Sequence, residues 1–117
     1  MHALYLSATR TFFSQWSRRR ALALRADRRL ALGELARLEV HVGEIRSVLR
    51  SGGAFELSDA LRGHAARFEA MASRFLREAL PGRHDDRAGW RQLHQRAQDL
   101  NREYAQTRDE LADGAAD

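Results

Sequence analysis

The side chains of this chain that could do chemistry are five histidines, sixteen carboxylates and twenty arginines, with no cysteine and no lysine. Helical metal sites need ligands three or four residues apart, as in HExxH or ExxH. No two of His2, His41, His64, His84 and His94 have that spacing, and no acid stands three residues before any of them. His41 with Glu44 is the nearest pair and reads as a surface contact on a charged helix. His64 lies beside an apolar stripe, where one satisfied ring nitrogen is the expected state. His84, Asp85 and Asp86 are adjacent, and helix capping accounts for both aspartates. No metal and no cofactor are therefore expected.

Nucleophilic catalysis finds no support either. No serine sits in a glycine elbow, and no glycine-rich phosphate loop of the GxGxxG or GxxxxGK[ST] type occurs. Without cysteine, thiol catalysis, disulfides and Cys-type zinc sites are excluded. The chain reads as non-enzymatic.

What remains is the arrangement of arginines. Residues 1–32 hold seven arginines, namely Arg10, Arg18, Arg19, Arg20, Arg25, Arg28 and Arg29, against the single acid Asp27, a net of +6. Residues 33–117 hold thirteen arginines against fifteen acids, a net of −2, and the two sum to the formal +4. The same first quarter carries Tyr5, Phe12, Phe13 and Trp16, followed by Leu22 and Leu24. Such a segment suits a partner better than bulk water. The exclusive use of arginine has two readings: a planar fork for phosphate and carboxylate recognition, or a GC-rich bacterial genome that spells its cations as Arg.

The elements that must position these residues are helices. A chain of 117 residues makes one domain. One proline and few β-branched residues favour helix. Leu35, Leu38, Val42, Ile45 and Leu49 recur at intervals of three and four, the seam of a bundle or coiled coil. The alternation of Leu38, Val40 and Val42 is the rival strand pattern, but the helical seam is longer. Ser51-Gly52-Gly53 ends the first helix. Ser58 caps a second helix and Asp59 suits its dipole. The stripe of that helix is Leu61, Ala65, Phe68, Ala72, Phe75 and Ala79, flanked by Met71 and Leu76, and Pro81-Gly82 stops it. The stripe of the third is Trp90, Leu93, Ala97, Leu100, Tyr104, Thr107 and Leu111.

The expected fold is all-α: a three-helix antiparallel bundle over residues 30–113, with a helical basic aromatic arm over 1–29 and a frayed tail at 114–117. The second helix, after a short turn, covers only about residues 29–50 of the first. The arm then projects without an intrachain partner and leaves Phe12, Phe13, Trp16, Leu22 and Leu24 exposed. The rival arrangement breaks the first helix near Gly33 and folds the arm back as a fourth helix. No run of about 18 uncharged apolar residues exists to span a membrane. Residues 1–26 have the acid-free composition of a mitochondrial transit peptide. The helical pattern that continues unbroken from Leu30 favours a mature cytoplasmic helix instead.

The functional expectation is a helical interaction module: an adaptor, inhibitor or complex subunit. It binds a partner protein or its own copy through Phe12, Phe13, Trp16, Leu22 and Leu24, with the seven arginines on partner acids. The alternative is nucleic-acid binding, with those arginines on phosphates. Peripheral contact with an anionic membrane ranks third.

Overall fold

The computed structural model describes the backbone of residues 2–51, 58–79 and 86–116, and the side chains of 14–51, 58–79 and 86–113. The expected roles of Gly52-Gly53, Pro81-Gly82 and Asp85 fall outside the described residues, as do the side chains of Arg10, Phe12 and Phe13. Three helices make up the described fold: α1 (His2–Arg50), α2 (Asp59–Ala79) and α3 (Arg87–Ala116). They form an up-down-up bundle with principal extents of 80 × 25 × 16 Å.

The core follows the apolar periodicity of each helix. From α1 it takes Ala31, Leu35, Leu38, Val42 and Ile45; from α2, Ala65, Phe68, Ala72, Leu76 and Ala79; from α3, Leu93, Ala97, Leu100, Tyr104 and Leu111. Val48, Leu49, Leu61, Phe75 and Trp90 pack against it while partly buried. On α2, Leu76 takes the deep position and Phe75 the flank, the reverse of the expected order. Val40 is 60% exposed, which settles the strand alternation in favour of the helix.

Local signals set the helix ends. The Leu61 amide donates to Ser58 Oγ at 3.2 Å, and the Gly89 amide donates to Asp86 Oδ1 at 2.7 Å. Both are N-cap bonds that satisfy amides with no partner inside the helix. At the C-terminus of α1, the Ser51 hydroxyl donates to the Val48 carbonyl at 3.1 Å. Helix α3 continues to Ala116, through residues expected to fray.

α1 runs through Gly33 without interruption, and a Cβ placed on that glycine would meet nothing within 4 Å. The folded-back arm is thereby excluded. A single helix of 49 residues is about 73 Å long at 1.5 Å per residue. It outruns α2 and α3, and this gives the molecule its elongated shape.

The alignment of α3 with α1 can be read from three contacts of identical sequence separation. Asp27 with Arg87, His41 with Asn101, and Glu44 with Tyr104 are each 60 residues apart. A constant offset means parallel helices of equal rise in register. Helix α3 therefore begins beside Asp27. This corrects the expectation that residues up to Arg28 lack an intrachain partner. Arg87 Nε donates to Asp27 Oδ2 at 2.8 Å, and Arg91 Nε lies 3.5 Å from the same oxygen. The Arg87 hydrogen bond holds the Asp27 carboxyl below the usual carboxylate range. The Arg28 guanidinium lies 5.8 Å from the Trp90 ring centroid, close enough for a cation–π contact.

A polar seam lies inside the α1–α3 contact. Asn101 is buried, and its amide donates to the Glu34 carbonyl at 3.1 Å and to Glu34 Oε2 at 2.7 Å. Its own Oδ1 then accepts from His41 Nδ1 at 3.0 Å, which assigns the Nδ1–H tautomer. The His41 ring stacks on Tyr104 with centroids 3.9 Å apart, and the Tyr104 hydroxyl donates to Glu44. The expected surface pairing of His41 with Glu44 is thus replaced. Each reaches across to α3, because a partner there is buried and fixed. On the other side, Glu69 of α2 accepts from Arg46 at 2.9 and 3.1 Å and from the Ser73 hydroxyl at 3.0 Å. The Arg46 bond dominates in holding that carboxyl below its ordinary range.

Candidate interaction surface on the first helix

The arm is the N-terminal part of α1, which α3 meets around Arg20 to Arg28. Trp16 is 51% exposed and Leu22 62% exposed, and Arg18, Arg19, Arg20, Arg25, Arg28 and Arg29 all face solvent. Leu24 is half-buried instead, lining a hollow with Arg20, Asp86, Arg87 and Ala88 where α3 begins. It supports α3 more than it offers itself to a partner. The Arg20 guanidinium lies 5.4 Å from the Trp16 ring centroid, so one face of the indole is already covered by a cation.

The electrostatics follow from composition and placement together. Asp27, the only acid in residues 1–32, is committed to Arg87 and Arg91 on the α3 side. Among the described residues, Arg18, Arg19, Arg25 and Arg29 have no carboxylate partner. Arg25, Arg28 and Arg29 line one shallow hollow whose fourth wall is Leu32, 43% exposed. Like charges three and four residues apart on a helix repel by a few tenths of a kcal/mol. Among the described residues no carboxylate pairs with Arg25 or Arg29 to offset it.

Leu30, Leu32 and Val40, all exposed on α1, were missed as surface candidates. Their signal was present in the sequence, since each departs from the buried seam through Ala31, Leu35 and Leu38. Among the described residues no group of three or more potential ligands gathers to hold a metal ion, and His64, 3.7 Å from Glu110, is the remaining histidine–acid contact. No described helix is long and apolar enough to cross a membrane. Comparison with protein-family models, with curated proteins and with solved structures finds no match to this chain.

Proposed function

We propose that this protein is a non-enzymatic interaction module whose α1 arm seats on a partner protein presenting an apolar surface edged with carboxylates. The observation that carries this reading is exposed Trp16 and Leu22 on the same stretch as Arg18, Arg19, Arg25 and Arg29, which have no acid partner among the described residues. Most helical stability in proteins comes from packing of one face, so contact with a partner would stabilise the part of α1 that the bundle does not pack. Helix-in-groove recognition uses apolar anchors of this kind, with charge setting orientation and association rate.

Charge favours a partner protein over a second copy. Residues 1–26 contain no acid, so pairing two arms sets arginine against arginine with no carboxylate in reach. Nucleic acid is the second reading, supported by the same unpaired arginines. It leaves the exposed Trp16 and Leu22 without a role, because phosphate contact needs neither.

The test is site-specific photo-crosslinking in the native cells, from a photoreactive phenylalanine at position 16 or 22, with position 71 on α2 as control. A discrete protein adduct from the arm positions, absent from the control, is the expected result. Adducts to nucleic acid alone, or to the chain itself alone, would refute the reading.

A further inference from the structure

The outward side of α1 carries a second periodic seam. Arg18, Leu22, Arg25, Arg29, Leu32 and Ala36 follow one another at intervals of four, three, four, three and four, and all six are exposed. This is the same spacing as the buried seam through Ala31, Leu35, Leu38, Val42 and Ile45, turned to the other side of the helix. A 3-4 repeat keeps one line of side chains facing a neighbouring helix. One long helix here has two such lines, and the bundle uses one of them.

We infer that the outer seam of α1 binds an amphipathic helix of a partner protein, with apolar residues against Leu22 and Leu32 and carboxylates against Arg25 and Arg29. The inference rests on the interaction-module reading and specifies the partner's chemistry. Charge complementarity selects the occupant. The central positions are two arginines without a carboxylate partner among the described residues, and the hollow lined by Arg25, Arg28, Arg29 and Leu32 sets guanidinium groups beside an aliphatic side chain. Guanidinium groups hold carboxylates through paired N–H donors. A second copy fits badly: antiparallel pairing of two seams matches Leu22 with Leu32 but sets Arg25 against Arg29. A phosphate backbone would engage the arginines and leave both leucines in water. The 3-4-3 spacing of Leu22, Arg25, Arg29 and Leu32 reads the same in both directions. The matching partner sequence is therefore Leu-x-x-Glu-x-x-x-Glu-x-x-Leu in either orientation.

The experiment titrates the full chain into a fluorescently labelled synthetic helix of that pattern, followed by anisotropy. Parallel titrations use the same peptide with both Glu replaced by Gln, and a labelled DNA duplex. Binding of the Glu peptide is expected, with roughly tenfold loss for the Gln peptide, the scale of a few exposed ion pairs. The double variant L22S/L32S should lose at least about tenfold, since two aliphatic side chains leave the contact. Both substituted leucines are exposed, and unchanged circular dichroism of that variant confirms an intact fold. Equal affinity for the Glu and Gln peptides, or no binding of the Glu peptide, overturns the inference. So does a dimer of the chain alone that L22S/L32S dissociates. DNA binding that ignores L22S/L32S, with a salt slope lowered by R25Q/R29Q, also overturns it and assigns the seam to phosphate. Failure here with a protein adduct still formed at position 16 discards the outer seam and leaves the interaction module standing. Loss of every such adduct discards the module itself.

Discussion

Tyr104 offers the sharpest test of the α1–α3 contact. The residue is 5% exposed, its ring stacked on His41 and tilted against Phe68 at 6.3 Å, and its hydroxyl donates to Glu44. Burial, then the Glu44 carboxylate, push the hydroxyl up to about 12 from an ordinary 10.0. Below pH 10 folded and unfolded chains both keep the proton, and this group gives stability no pH dependence. Between pH 10 and 12 the unfolded chain releases it and the folded chain retains it. Unfolding thus becomes progressively easier as pH rises. Two pH units at 1.36 kcal/mol each amount to about 2–3 kcal/mol lost across that window. The assay is urea denaturation at several pH values from 9 to 12, with tyrosinate absorbance followed in a Tyr5→Phe background so that only Tyr104 contributes. In Tyr104→Phe the ring stays and the hydroxyl goes. That variant should be about 0.5–1.5 kcal/mol less stable at pH 8, and its alkaline decline should be flatter than that of the parent. Titration of Tyr104 near pH 10, with the same alkaline decline in both proteins, would refute the buried Tyr104–Glu44 contact and the register built on it.

Three further outcomes follow from the packing. Phe68→Ala should cost about 3–5 kcal/mol by chemical denaturation, because Phe68 is 1% exposed at the centre of the core; a loss below about 1 kcal/mol would displace it from the core. Ser58→Ala and Asp86→Ala should each cost about 0.5–2 kcal/mol by removing an N-cap acceptor, with amide exchange accelerating first at Leu61 and Gly89 respectively. Deleting residues 1–13 should leave the unfolding midpoint of the bundle nearly unchanged. Deleting residues 1–29 removes Asp27 from Arg87 and Arg91 and Arg28 from Trp90, and should speed exchange in the first turns of α3. Equal protection of those turns in both truncations would show that α3 does not depend on residues 20–28.

Much of the fold was written in the apolar periodicity. The seam through Leu35, Leu38, Val42 and Ile45 and the α3 stripe from Trp90 to Leu111 could be read directly. An apolar 3-4 stripe marks one side of its helix, and burying its apolar area dominates the choice of the side that packs into the bundle. Ser58 and Asp86 were legible as caps for a similarly local reason: the side chain and the amide it satisfies lie within three residues. The clustering of Arg18, Arg19, Arg20, Arg25, Arg28 and Arg29 is likewise a property of the sequence alone. Tertiary structure decided whatever depends on two helices at once. The common offset of 60 residues placed the start of α3 beside Asp27, giving Leu24, Asp27 and Arg28 partners that no spacing along α1 could reveal. Asn101, a polar residue next to an apolar stripe, is buried only because Glu34 and His41 stand opposite to satisfy its amide. The division of Leu22 from Leu24, one free and the other half-covered, is of the same kind. Hydrophobicity marks a residue for burial, but only the length and register of the neighbouring helix determine whether a surface is there to bury it.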